Sequence, residues 1–215
     1  MILKNDNLHD FRMIYFNSDG YEGTMCGNGG RCITAFAASL GLISNEAVFL
    51  AIDGVHRSII LKNTINLKMS NVSEIKKFDD GFFVNSGSPH FICLNKNPNK
   101  ININFIGKKI RYQQRFAPEG VNVDFITKKE NIITIATFER GVEAETLSCG
   151  TGSVASAIAV SINKPDGKYN YIINAKGGKL QVSFQKKRNM FSNIWLSGTA
   201  VKVFEGTFET ETLIL

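Results

Sequence analysis

The chain has 215 residues, 43% of them hydrophobic and 20% charged, with 16 Phe. That supplies one large core or two modest ones and excludes an intrinsically disordered chain. The net charge of +6 is dispersed over short doublets such as Lys76-Lys77 and Lys108-Lys109, with no recognition motif for nucleic acid, and no apolar run is long enough to span a membrane.

The opening residues lack the long apolar run of a secretory signal, so a cytoplasmic protein with reduced thiols is expected. Residues 11–16 are rich in β-formers and end in a turn over 17–20. A helix is expected over 29–40, with Gly41 placed to stop it. Strands follow at 47–52, 57–61, 66–69, 81–84, 90–94, 122–127 and 132–138. A second helix, small-residue in character, is expected over 152–161, with Val154, Ala157, Ile158 and Val160 as its apolar positions. Strands at 180–184, 193–197 and 200–204 close the chain. Gly54 and Gly178 fall at hairpin turns, and Lys186-Lys187-Arg188 reads as a solvated hairpin tip.

Both expected helices follow a Cys-Gly-X-Gly turn, Cys26-Gly27-Asn28-Gly29 and Cys149-Gly150-Thr151-Gly152. A single copy reads as a tight turn and nothing more. Two copies, each opening one of two helices, form a weak internal repeat and predict two similar lobes with a site at their seam. The first N–H groups of a helix lack intrahelical partners and carry partial positive charge, which stabilises a thiolate just ahead of them. Glycines there let a carboxylate approach the same N–H groups. Two facing turns of this kind put one thiol on each side of a bound α-carbon, the geometry for inverting a stereocentre by proton removal and delivery. No lysine motif for pyridoxal phosphate, phosphate loop or metal-ligand spacing occurs, so no cofactor and no metal are expected. Cys32, inside the first helix, and Cys93, in an apolar strand, read as packing residues.

The motifs together resemble those of diaminopimelate epimerase. Phe16-Asn17-Ser18-Asp19-Gly20 leads to Met25-Cys26-Gly27-Asn28-Gly29-Gly30-Arg31-Cys32. Gly87-Ser88-Pro89-His90, Gly120-Val121-Asn122-Val123, Glu139-Arg140-Gly141 and Glu145-Thr146-Leu147-Ser148-Cys149-Gly150-Thr151-Gly152 follow in the family's order. The resemblance implies an α+β fold of two pseudo-symmetric lobes, each a curled, mostly antiparallel sheet around a central helix. It places 1–70 with 201–215 in the first lobe and 71–200 in the second. It makes Cys26 and Cys149 the catalytic bases. Asn17, Asn122, Glu139 and Arg140 hold the distal groups of an amino-acid substrate, diaminopimelate. Gly27, Asn28, Gly150 and Thr151 offer backbone N–H groups to the reacting carboxylate, and His90 and Ser88 support the site. A homodimer is the family's common assembly.

Three departures accompany the resemblance. Ser88 stands where many members carry Asn, and the segment between Arg140 and Glu145 is one residue longer than usual. Members also carry an earlier strand, a Gly-Asn-Asp-Phe-type motif and a Gly-X-Asp-Gly-type turn ahead of a strand resembling Met1-Ile2-Leu3. Neither motif is present, so the first lobe is expected to be incomplete, with exposed apolar edges and weak or absent activity. Proline racemase-like enzymes are the nearest enzymatic alternative, although they usually carry Cys-Gly-His-Gly at the first thiol. Phenazine-biosynthesis-like isomerases lack the cysteine pair. A binding-only remnant of the same fold is the alternative from another class.

Overall fold

A computed structural model describes residues 1–17 and 20–207. The expected turn at 17–20 and the expected contribution of 201–215 to the first lobe therefore lie partly outside the described residues.

The first half of the chain folds as β1 (Ile2–Lys4), β2 (Phe11–Phe16), β3 (Glu22–Gly23), α1 (Gly27–Ser39), β4 (Glu46–Ala51), β5 (Gly54–Leu61) and β6 (Thr64–Lys68). The second half adds β7 (Ile75–Phe78), β8 (Gly81–Asn85), β9 (Pro89–Leu94), α2 (Ile103–Arg111), β10 (Asn122–Lys129) and β11 (Ile132–Glu139). It ends with β12 (Ala144–Thr146), α3 (Gly150–Ala159), β13 (Gly167–Ala175), β14 (Gly178–Lys187) and β15 (Met190–Gly198). No helix among the described residues is long and apolar enough to cross a membrane.

The repeat seen in the sequence is realised element by element. In the first copy β2 receives the short strand β3, a Cys-Gly turn opens α1, and β4 returns parallel to β2 before the antiparallel β4–β5–β6 meander. In the second copy β11 receives β12, a Cys-Gly turn opens α3, and β13 returns parallel to β11 before β13–β14–β15. Each parallel pair requires a long crossover, and in each copy the Cys-capped helix lies within it. The last strands of the two copies pair antiparallel, with Leu67 opposite Leu196, so one strand path runs through both lobes. The fold is thus the expected α+β arrangement of two curled, mostly antiparallel sheets, each with a central helix.

Side-chain alternation fixes which face of each strand meets the helices. Phe11 and Met13 of β2, Phe49 of β4 and Leu67 of β6 are buried in the first lobe; Leu180, Val182 and Phe184 alternate inward along β14 in the second. Burying each such side chain contributes roughly 1.5–3 kcal/mol. A separate cluster of Phe91, Phe116, Phe125 and Phe138 with Ile103 fills the space beneath α2.

The helices differ in enclosure. α3 is buried from Gly152 to Ala159, because β8, β9, β10 and β11 wrap it as well as β14 and β15. α1 buries Ile33, Thr34 and Ala37 but leaves Cys32, Phe36 and Leu40 on an open stripe. Cys32 is therefore an exposed thiol, not the packing residue expected, because no described element covers that side of α1. Cys93, by contrast, is buried as expected.

Other local expectations change as well. Residues 199–207 form no strand; Val203 and Phe204 are each 87% exposed, and β-forming side chains do not make a strand without a partner edge. β3, β7, β12, β13 and α2 were not expected. The start of α2 is nevertheless marked by Asn102, whose Oδ1 accepts from the Phe105 N–H at 3.0 Å. The tip after β14 is a hairpin turn, but Lys186 is buried. Its Nζ donates to the Lys164 carbonyl at 2.8 Å and lies 3.6 Å from Asp166.

Candidate active site

The two helix N-termini meet back to back. A Cβ built on Gly27 would lie 3.4 Å from the Gly150 Cα, and one built on Gly150 would lie 3.2 Å from the Gly27 Cα. Only paired glycines allow this approach, and Leu196 of β15 packs against both. Cys26 and Cys149, one residue ahead of each helix, flank the seam as N-cap residues in extended conformation. Both are half-buried free thiols.

The lobes are also tied by polar contacts at this point. The Asn28 amide donates across the seam to the Ser148 carbonyl at 3.1 Å. Arg31 donates to the Asn28 Oδ1 at 2.8 Å and to the Gly27 carbonyl at 3.1 Å. Arg31 is buried and has no carboxylate partner among the described residues. Burial pulls its guanidinium down, while Cys32 and Cys26 oppose the shift. A buried cation and two helix N-termini make the seam electropositive, an environment suited to a carboxylate or a thiolate.

The thiols have different surroundings. Cys149 Sγ accepts from the Gly152 N–H at 3.5 Å and lies 3.4 Å from Thr151 Oγ1. Cys26 makes no side-chain cap bond. Its neighbour is Tyr15, whose hydroxyl is pushed up first by Cys26, then by burial and by Glu139. Glu139, at the end of β11, thus acts on a group of the first lobe from the second.

Behind Cys149, His90 Nε2 lies 2.9 Å from Thr151 Oγ1 and 3.0 Å from Ser88 Oγ, and those hydroxyls are 3.0 Å apart. Asn122 is buried alongside. Its amide donates to the Pro89 carbonyl at 2.9 Å, and its Oδ1 accepts from the Arg140 backbone N–H at 2.8 Å. The fold therefore brings Cys149, Gly150, Thr151, His90, Ser88, Asn122 and the Arg140 backbone into one cluster, with Cys26, Gly27 and Asn28 across the seam. Asn17 sits apart at the β2–β3 turn, where its side chain packs against Gly23. A cavity of about 220 Å³ bounded by Phe82, Leu94, Ile126 and Val160 lies at the far end of α3 and is mainly apolar.

Three residues of the cluster escape sequence reasoning. Tyr15 gives no signal beyond its place in a strand. Arg31 is the lone charge in an otherwise small and apolar helix, and Asp124 is an acid between Val123 and Phe125 in an apolar strand; both patterns are legible once burial is known.

Burial alone would pull the His90 imidazolium down. The charge and hydrogen bond of Asp124, 2.7 Å from Nδ1, outweigh it, with a further contribution from Cys149, and raise the ring from 6.5 to about 10. A group raised in the folded state contributes stability that is complete below its unfolded value and lost as pH rises through the folded value. The urea midpoint is therefore expected to fall between about pH 6.5 and about pH 10. His90→Gln should flatten that slope; an equally steep loss in the variant would assign it elsewhere.

A diaminopimelate epimerase family model matches residues 82–203. The diaminopimelate epimerase of Flavobacterium psychrophilum is 46% identical over 209 residues, covering 96% of this chain and 82% of that one. This chain belongs to the diaminopimelate epimerase family. The diaminopimelate epimerase of Aquifex aeolicus is 34% identical, covering 99% of this chain and 80% of that enzyme. Among solved structures, a probable proline racemase from Agrobacterium radiobacter aligns with TM-score 0.65 at 15% identity, over 92% of this chain and 72% of that one. A putative PhzC/PhzF phenazine-biosynthesis protein from Clostridium difficile aligns with TM-score 0.66 at 15% identity, over 97% and 82%. At such identities these two likenesses concern the fold alone.

Proposed function

We propose that this diaminopimelate epimerase family member converts LL-diaminopimelate to meso-diaminopimelate, with Cys26 and Cys149 working from opposite sides of one α-carbon. The meeting of two Cys-capped helix N-termini at Gly27 and Gly150 carries this reading. One thiolate takes the α-proton and becomes a thiol. The electron pair left on carbon delocalises into the carboxylate, and the opposite thiol donates its proton to the other face and becomes a thiolate. The backbone N–H groups of Gly27, Asn28, Gly150 and Thr151 stabilise the charge developing on the carboxylate, helped by the buried Arg31 charge. Glu139 and Arg140 receive the distal amino and carboxyl groups, Asn122 fixes the Arg140 backbone, and Asn17 closes the site from the first lobe. Homodimeric assembly and a cytoplasmic location come with the family resemblance and belong to the same reading.

The test is incubation of the purified, reduced chain with LL-diaminopimelate in heavy water. Deuterium at the α-carbon with meso product is expected. A folded chain that binds the substrate, seen as thermal stabilisation, but incorporates no deuterium would replace this reading with ligand binding alone. Turnover of proline and not of diaminopimelate would replace the substrate.

A further inference from the structure

Asp124 is the one wholly buried carboxylate in the cluster, and the reaction above leaves it without a task. It occupies β10 opposite Thr137 of β11 and Ile92 of β9. Such a charge is costly to bury unless every lone pair is used. Here Oδ2 accepts from His90 Nδ1 at 2.7 Å, and Oδ1 accepts from the Thr137 hydroxyl at 2.6 Å. The first turn of α3 is cut back to seat the pair: a Cβ on Gly152 would fall 2.6 Å from Asp124 Oδ1 and 3.1 Å from His90 Cε1. On the far side of the ring the contacts run from Nε2 to Thr151 Oγ1 at 2.9 Å, and from there to Cys149 Sγ at 3.4 Å. Cys26 faces the Tyr15 phenol instead.

We propose that Asp124 is a positioning residue: it holds His90 as an imidazolium, so that Nε2–H donates to Thr151, the Thr151 hydroxyl donates to Cys149 Sγ, and Cys149 is the ionised thiol of the resting pair. This rests on Cys26 and Cys149 being the reacting thiols. The direction of the line depends on one proton. A neutral ring that keeps its hydrogen on Nδ1 toward Asp124 leaves Nε2 an acceptor. The Thr151 hydrogen then turns toward the ring and away from sulfur. A doubly protonated ring reverses that orientation. The titratable groups facing His90 are Asp124 and Cys149, both negative in the proposed state. Beyond Asp124 lies the Cys93 thiol, which burial and then Asp124 push up to about 12, so it stays neutral and adds no competing charge. Ser88, Asn122 and Thr137 supply uncharged partners only.

The experiment compares the reduced full chain with Asp124→Asn, which preserves shape: its oxygen can accept from His90 Nδ1 while its NH2 donates to the Thr137 hydroxyl. Both are treated with iodoacetamide between about pH 5.5 and about pH 9.5, and the Cys26 and Cys149 peptides are quantified by mass spectrometry. Asp124→Asn should slow Cys149 alkylation about tenfold at neutral pH, while Cys26 changes less than about twofold. An unmoved Cys149 curve in a folded variant overturns the proposal. Should the variant fail to fold, 15N-histidine labelling of the unaltered chain decides. Two protonated ring nitrogens on His90 at about pH 8 support the proposal, and a neutral ring overturns it. Neither experiment contains substrate, so their failure leaves the epimerase reading to the exchange assay, and failure of that assay leaves these two results intact.

Discussion

Cys149→Ala and Cys26→Ala are each expected to lower kcat/KM for inversion of diaminopimelate by about 10²- to 10⁴-fold, the range for losing a positioned acid or base. The geometry predicts more than a loss. Each thiol serves one face, so the surviving thiol can still remove and return a proton on its own side. Cys149→Ala should exchange the α-hydrogen of one isomer with solvent and retain configuration, and Cys26→Ala should do so for the other. Chiral chromatography with mass analysis of substrate held in heavy water reads both outcomes. Inversion at a near-native rate by either variant would remove the two-thiol mechanism. The variants should differ in stability too. The Cys149 sulfur accepts the Gly152 N–H and acts as a helix cap, worth about 0.5–1 kcal/mol, whereas the Cys26 side chain caps nothing.

Gly150→Ala is expected to separate the helices. Its Cβ would lie 2.8 Å from Leu196 Cδ2 and 3.2 Å from the Gly27 Cα. The leucine can turn aside; the backbone of the facing helix cannot yield without opening the seam. Overpacking of this kind costs about 1–3 kcal/mol. Relief of the 3.2 Å contact moves the helices apart by a few tenths of an ångström, so turnover falls by less than the ~10²-fold that a displacement of ~1 Å would cost. Gly167→Ala is the matched control, since nothing lies within 4 Å of its new methyl group, and it should change stability by less than about 0.5 kcal/mol. Shortening Leu196 in the Gly150→Ala background should restore little, because the backbone overlap remains. Full rescue by Leu196→Ala would locate the strain in the side chain and not at the seam.

The elements that a single chain segment dictates were legible in advance. Both Cys-capped helices start within two residues of their expected positions, because a Cys-Gly-X-Gly turn ahead of a small-residue run leaves little other choice. Most strands appear where apolar alternation put them. The misses depend on partners distant in sequence. Residues 200–204 have strand-forming side chains but pair with no strand among the described residues. Cys32 has the spacing of a core position, yet it faces outward because the sheet around α1 stops short of it. Lys186 looks like a solvated charge and is buried because the 164–166 segment folds over it.

By itself the sequence determined the repeat, the two thiols at helix starts and the membership of a family, because these depend on local backbone preference and on motifs contiguous in the chain. The tertiary structure decided what those motifs share. It set Gly27 against Gly150, drew the Asn28 amide to the Ser148 carbonyl, and stacked Asp124, His90 and Thr151 behind one thiol and Tyr15 beside the other. Most of those contacts join strands or helices far apart along the chain. The first two cross between the lobes and form only when the pairing of β6 with β15 brings the lobes together; the others are made inside one lobe, where separate strands and a helix pack.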